Sequence, residues 1–538
     1  MTIGQKITCL RTRAGISQEE LAATLGISRQ SVSKWEMDTA LPQVDKILQL
    51  SDLFSVSTDM LLKEEKELPA PNGKSGGKYF GTDGFRGEAG VSLTSLHAFR
   101  VGRFLGWYYA SHLSGNASPG YRPRIVIGKD TRRSSDMLEY AIAAGITASG
   151  ADAYMLHVTT TPSVSYVTRQ DGFDCGIMIT ASHNPYYDNG IKVLGPFGEK
   201  LDDAATALIE AYLDGDLAAL GVEGEDLPLA HKARIGCIQD YVAGRNRYIG
   251  YLISLASHSY KSLRIGLDTA NGAAWSIASA VFSALGAKLY VIGNEPDGLN
   301  INEDCGSTRI DRLAALVKEK HLDLGFAFDG DADRCIAIDE NGNPVDGDAI
   351  LYILAKRLAS RGMLKDNTVV ATVMSNSGFV KSLEKIGLRC VETAVGDRYV
   401  YECMQKEGYA LGGEQSGHII LKKYATTGDG LLTAIMLAEE ISDTKKSLAS
   451  LAAPVKYYPQ YTKNVRVKSK SAVTADERVA HAIATARERL AGEGRILLRE
   501  SGTEPVVRIM VESTSEALCH TLADTVAQAI REGGHELG

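Results

Sequence analysis

The sequence predicts an α/β chain: three tandem α/β domains plus a C-terminal α+β domain, preceded by a small all-α helix-turn-helix domain. Three observations predict it. A unit of strand, polar helix start, amphipathic helix, glycine stop and second strand recurs three times between residues 124 and 392. That unit implies a right-handed crossover and parallel strands each time. From about residue 457 the pattern breaks into two strands around a loop and a final helix, which suggests a smaller α+β domain. The first 66 residues, in contrast, carry helix start and stop signals.

In order, the reading gives a helix-turn-helix domain at 1–66, a linker at 67–78, and four further domains at 79–228, 229–333, 334–455 and 456–538. Ser17-Gln18-Glu19-Glu20 is a capping box opening a helix through Leu21, Ala22 and Leu25, and Gly26 stops it. Ser28 caps a second helix from Arg29 to about Met37, with Val32 and Trp35 inward. The linker, with two prolines and three glycines among Leu68 to Gly77, builds no element. The first repeat runs from the strand Arg124–Gly128 through a helix ending at Gly150 to the strand Ala153–Leu156. The second runs from Arg264–Leu267 through Gly286 to Lys288–Ile292, and the third from Val369–Val373 through Gly387 to Cys390–Glu392. The last domain rests on Arg495–Leu498, Val506–Val511 and the C-terminal helix.

The chain has 538 residues, 44% hydrophobic, and a formal net charge of −8. The length exceeds one core, and the mild acidity excludes a surface that binds nucleic acid along its whole length. Eight cysteines without a C-x-x-C pair read as buried thiols of a reducing compartment. No apolar run reaches membrane-spanning length and the N-terminus lacks an apolar signal core, so the expected location is the cytoplasm, with no membrane partner.

Four loops carry chemistry. In 180–185, Thr-Ala-Ser-His-Asn-Pro, the buried-strand text Gly176–Ile179 opens into a loop offering the Ser182 hydroxyl beside His183, with Lys192 ten residues on. Alone, it also reads as an ordinary serine-bearing loop. Gly81–Gly87 exposes backbone N–H groups and brings Arg86, though alone it reads first as a plain turn. Asp329-Gly330-Asp331-Ala332-Asp333-Arg334 ends an apolar strand with three carboxylates in a tight loop, a donor set that suits Mg2+. An EF-hand would place glycine where Arg334 stands and a helix where Cys335–Ile338 reads as a strand. Arg499 to Pro505, with Arg508 after it, offers two arginines, Ser501, Gly502 and Thr503 to a phosphate dianion. A fifth stretch, Gly412 to His418, spaces polar groups with glycines as a sugar-recognition loop would.

From Tyr79 onward the motifs GTDGFRG, TASHNP with NGIK, DGDADR, VGDRY, GGEQSGH and RESGTEPVVR stand in the order of the α-D-phosphohexomutases, which the chain resembles over about 460 residues. Gln415 and the VGDRY stretch resemble the branch that acts on glucosamine phosphates. The resemblance implies four domains around a cleft, Ser182 as a phosphoserine, and Mg2+ on Asp329, Asp331, Asp333 and a phosphoserine oxygen. It implies catalytic roles for Ser182, Lys192, His183, Arg86 and His418, with Lys192 before His418 as the group that moves the sugar hydroxyl proton. It implies substrate contacts from Arg334, Arg398, Glu414, Ser416, Arg499, Ser501, Gly502, Thr503 and Arg508, and a sugar bisphosphate such as glucosamine 1,6-bisphosphate as activator. Glu500 stands where this branch often has lysine or proline. A mutase acting on glucose or mannose phosphates, or a regulator using the body as a sugar-phosphate sensor, remain alternatives.

The N-terminal unit resembles Cro/cI-type DNA-binding domains, which implies DNA contacts from Gln18, Arg29, Gln30, Ser33 and Lys34. Residues 1–66 hold eight Lys/Arg and nine Asp/Glu, so a single copy neutralises few phosphates and a homodimer is expected.

Overall fold

The computed structural model describes residues 3–4, 6–7, 11, 17–36, 40–53, 78–81, 83–113, 121–500 and 506–537. Most of the expected linker and residues Ser501, Gly502 and Thr503 of the expected phosphate clamp lie outside them. The chain forms two compact units that divide between Lys78 and Tyr79.

In the first unit, helices Gln18–Thr24, Arg29–Glu36 and Val44–Leu53 follow one another. The capping box is made on both sides: Ser17 Oγ accepts from Glu20 N–H, and Glu20 accepts from Ser17 N–H at 2.6 Å. Such caps contribute about 1 kcal/mol. Gly26 takes φ +64°, the left-handed conformation a helix stop requires. Val32 and Trp35 pack with Leu21, Leu25 and Leu50 in the core.

In the second unit, four sheets follow in chain order. The first has seven strands; from one edge these are Phe80–Gly81, Gly84–Glu88, Asp188–Leu194, Cys175–Ile179, Arg124–Lys129, Asp152–Val158 and Ile238–Asp240. The second orders Pro344–Val345, Cys335–Ile338, Leu324–Phe328, Arg264–Asp268 and Lys288–Ile292. The third orders Arg389–Thr393, Thr368–Thr372, Leu411–Gly413 and Ile419–Leu421. The fourth is antiparallel, Gln460–Arg466 beside Val506–Ser513 beside Gly494–Glu500, covered by the Glu516–Glu532 helix. The two strands of each repeat pair in parallel, as the crossover pattern predicts.

Two domain edges fall elsewhere than expected. Ile238–Asp240 hydrogen-bonds in parallel to Ala153–Met155, so the first sheet runs past the edge drawn at 228/229. Cys335–Ile338 pairs with Leu324–Phe328 and then with Pro344–Val345, so the edge at 333/334 cuts a hairpin. An acidic loop looks like a terminus in sequence, but here it is the turn between two strands. The second and third domains also share one hydrophobic core, from Tyr248 through Phe328 and Leu354 to Val455. That common core fixes the loops of these two domains relative to each other.

Candidate active site

Ser182 follows the fully buried strand Cys175–Ile179, at the carboxyl ends of parallel strands, where open α/β sheets place their sites. It adopts φ +53°, a conformation that costs an ordinary residue on the order of 1 kcal/mol. The loop around it is tied down from inside. Arg132 is 2% exposed and donates from Nη2 to the carbonyls of Ser182 and Asn184, each at 2.9 Å. Its Nη1 reaches Pro185 O and Asp188 O, and its Nε reaches Asp130 Oδ2 at 2.8 Å. Asn302 Nδ2 adds bonds to the same Ser182 and Asn184 carbonyls at 2.9 and 3.0 Å. The hydroxyl is left pointing at chemistry: Ser182 Oγ donates to Asp329 Oδ2 at 2.6 Å and lies 3.3 Å from His183 Nδ1.

Asp329, Asp331 and Asp333 are all buried, and one oxygen from each lies within 4.8 Å of the others. Gly330 lets this loop approach, because a Cβ there would stand 2.4 Å from Ser182 O. Asp331 Oδ2 accepts from Thr161 Oγ1 at 2.5 Å and from Lys192 Nζ at 2.8 Å, and Asp333 Oδ2 accepts from Lys192 at 3.2 Å. Asp331 Oδ1 and Asp333 Oδ1 are buried without a hydrogen-bond partner. Two orphaned anionic oxygens beside a third carboxylate fit a small hard cation.

Charges close into a ring around this point. Lys192 lies 3.4 Å from Asp83 and 3.2 Å from Asp333; His418 Nδ1 lies 3.7 Å from Asp333, longer than a hydrogen bond. His418 Nε2 lies 3.4 Å from Asp397, and Lys200 bridges Asp397 at 2.8 Å back to Asp83 at 3.2 Å. The three domains supply alternating signs, so no member is an uncompensated buried charge. Burial opposes the Lys192 charge, but Asp331, Asp83 and Asp333 hold its pKa well above the ordinary lysine value. Burial likewise opposes protonation of His418, yet Asp333 and Asp397 raise it to about 9. His183 goes the other way: burial, then Arg334 and Arg86, lower it to about 4. Asp329 is pushed well above the carboxylate range by burial and by Asp333 and Asp331.

The structure therefore gathers Ser182, His183, Lys192, the three aspartates and His418. Arg86 joins through an ion pair to Asp83 and keeps a buried Nε without a hydrogen-bond partner, as does Arg334. Glu414 accepts from Gly396 N–H at 3.1 Å, and Ser416 is exposed on the same turn. Arg398 is occupied away from the cluster: it grips Asp203 through both terminal nitrogens and Glu402 at 2.7 Å. Arg499 and Arg508 are partners across two antiparallel strands, so both side chains leave one face; Arg499 Nη1 lies 3.2 Å from Met374 Sδ. In the first unit Arg29, Gln30 and Lys34 are exposed and Ser33 is half-buried, whereas Gln18 donates to Glu36 at 2.7 Å within the fold.

Sequence reasoning missed Arg132, Asn302, Thr161, Asp83, Lys200 and Asp397. Only Asp83 and Asp397 sat inside motifs already singled out, GTDGFRG and VGDRY. The others contact the site across long sequence separations and carry no local signal.

Comparison with known proteins matches these observations. The four domain models of the phosphoglucomutase/phosphomannomutase family match in order: α/β/α domain I at 77–218, domain II at 246–342, domain III at 346–458 and the C-terminal domain at 463–529. A helix-turn-helix model matches 10–61. The phosphoglucosamine mutase of Lachnospira eligens is 57% identical over 460 residues, covering 85% of this chain and 99% of its own length. That of Bacillus subtilis is 48% identical over 456 residues, covering 85% and 98%. A phosphoglucomutase/phosphomannomutase family protein from Burkholderia thailandensis shares the fold with TM-score 0.68 at 22% identity, over 84% of this chain and 97% of its own.

Proposed function

The chain belongs to the phosphoglucomutase/phosphomannomutase family, and we propose that it interconverts glucosamine 6-phosphate and glucosamine 1-phosphate through phosphorylated Ser182. One observation carries the reading: a buried serine hydroxyl, held in left-handed backbone by Arg132, 2.6 Å from the first of three clustered aspartates. The relatives called phosphoglucosamine mutases support the choice of sugar.

In this mechanism the phosphoryl group leaves Ser182 Oγ for the free hydroxyl of the sugar phosphate. The hydroxyl loses its proton as the new P–O bond forms, and Ser182 Oγ regains one. The 1,6-bisphosphate then turns over, its other phosphoryl group returns to Ser182 Oγ, and glucosamine 1-phosphate departs. Asp329, Asp331 and Asp333 would hold Mg2+, which supplies charge stabilisation for a loose phosphoryl transition state. Arg86 and Arg334 add cationic donors beside the same loops. Lys192 and His418 are both held in their charged forms, so they suit orientation and proton donation. His183, its pKa lowered to about 4 and its Nδ1 3.3 Å from Ser182 Oγ, is placed to take the Ser182 hydroxyl proton when the serine is rephosphorylated. Glu414 and Ser416 orient sugar hydroxyls, and Arg499 with Arg508, joined by Ser501, Gly502 and Thr503, holds the idle phosphate. A clamp that reads only a phosphate serves both half-reactions. A sugar 1,6-bisphosphate lost from the cleft would recharge Ser182, which makes it the activator.

We place this work in the cytoplasm. The seven described cysteines are free thiols, and among the described residues no helix is long and apolar enough to cross a membrane. The exposed Arg29, Gln30 and Lys34 on the second helix of a helix-turn-helix support DNA as a further partner, with two copies sharing the phosphate contacts. A gel-shift titration over a salt series tests this; absence of specific binding at low salt removes it.

The enzyme reading is tested by coupled assays on glucosamine, glucose and mannose 6-phosphates with Mg2+ and a trace of bisphosphate. Preference for glucosamine is expected. Turnover of glucose or mannose alone would keep the chemistry and replace the substrate.

A further inference from the structure

Thr161 lies outside every loop that carries the chemistry. It opens the Thr161–Gln170 helix of the first domain, just after the N-cap Thr160. Its hydroxyl and its N–H nonetheless serve the second domain. Thr161 Oγ1 donates to Asp331 Oδ2 at 2.5 Å, and Thr161 N–H donates to Asp331 C=O at 3.0 Å. Thr161 is 3% exposed and Asp331 is fully buried. Lys192 Nζ takes the same Oδ2, while Oδ1 is buried without a partner. The carboxylate thus has one oxygen spent on the protein and one left without a protein partner.

Denticity separates the two common hard cations. Mg2+ demands near-octahedral geometry and suits ligands that give one oxygen each; Ca2+ is larger and accepts bidentate carboxylates in looser shells. Lys192 reaches Asp331 on a flexible four-carbon stem and can follow a turning carboxylate. Thr161 cannot, because it is β-branched and fixed at a capped helix start. We propose that Thr161 is a positioning residue that keeps Asp331 a one-oxygen ligand and so makes the site favour Mg2+ over Ca2+. This rests on the reading that the three aspartates hold a divalent cation.

The test is calorimetric titration of Mg2+ and of Ca2+ into the full chain, as wild type, Thr161→Val and Thr161→Ser. Removing an outer partner of a metal ligand typically weakens binding about 10- to 100-fold. Thr161→Val is expected to weaken Mg2+ by at least about tenfold while Ca2+ binding holds or improves, so the preference shifts by that factor. Thr161→Ser, which keeps the hydroxyl, is expected to hold the wild-type ratio. Equal weakening of both cations by Thr161→Val would mark a structural role and overturn the proposal. So would a Thr161→Ser ratio as altered as that of valine. A wild-type chain that binds neither cation would bring down the metal reading together with this one.

Discussion

Arg132→Met removes the support of the Ser182 loop while leaving Ser182 itself in place. All five guanidinium donors are engaged: one with Asp130, four with the carbonyls of Ser182, Asn184, Pro185 and Asp188. Asp130 is 1% exposed, and stripping the partner from such a buried pair costs about 3–5 kcal/mol. For a domain of roughly 150 residues that lowers the melting temperature by about 10 °C. The catalytic cost is separate. With the four guanidinium bonds gone and Asn302 left to hold the Ser182 and Asn184 carbonyls, Ser182 relaxes from φ +53°, and a misplacement of about 1 Å costs about 100-fold in kcat. Arg132→Lys separates the two effects. It keeps a charge for Asp130 but cannot span all four carbonyls, so stability falls less than kcat. The assay is kcat in a coupled reaction, at matched Ser182 phosphorylation by intact mass, beside thermal melts. A folded Arg132→Lys or Arg132→Met variant with wild-type kcat would refute the argument that this guanidinium shapes the phosphoryl-transfer loop.

Ser182→Ala is expected to lose at least about 10⁴-fold in turnover with an unchanged melting curve, as nucleophile deletions do; substantial turnover would end the phosphoserine scheme. Arg508→Ala removes a charged donor worth about 1.5–3 kcal/mol, so calorimetry should read sugar-phosphate affinity weaker by about tenfold or more. Asp348 gives a pH dependence: burial, joined by Asp346 and Glu512, raises it from 3.8 to about 7 against the Asn376 N–H bond. The folded chain keeps this proton up to about pH 7 and the unfolded chain only below about 4, so its stabilising contribution is whole below pH 4. It fades by up to about 4 kcal/mol as pH rises through 7. Asp348→Asn should flatten that slope in urea titrations between pH 5 and 8, and an unchanged slope would remove Asp348 as its source.

What the sequence made legible was local or periodic. The three parallel crossovers follow from a repeated strand-helix-strand text, and the helix-turn-helix from its caps. The aspartates were legible because three alternating carboxylates in a tight loop at a strand end suit a hard cation, whereas the Ser182 loop alone also reads as an ordinary loop and took its role from the resemblance of the whole motif set. Domain edges failed at Ile238 and Cys335, since whether a short apolar stretch closes one sheet or opens the next is decided by pairing partners far away. The support of the site failed for the same reason. Arg132 precedes Ser182 by 50 residues, and Thr161 reaches Asp331 across 170. Lys200 stands in none of the motifs, and the fold sets it between Asp83 and Asp397. Arg398, which its motif marks for substrate, pairs with Asp203 and Glu402, partners that the sequence gives no sign of.

The central claim is that the phosphoryl group travels through Ser182. The most direct measurement is a single turnover: chain phosphorylated on Ser182, mixed with less than one equivalent of glucosamine 6-phosphate and Mg2+, quenched over time. Protein mass and sugar phosphates are then followed together. The account predicts that phosphoserine falls as bisphosphate appears and returns as glucosamine 1-phosphate forms. Product formed while the phosphate on Ser182 stays in place throughout would contradict it.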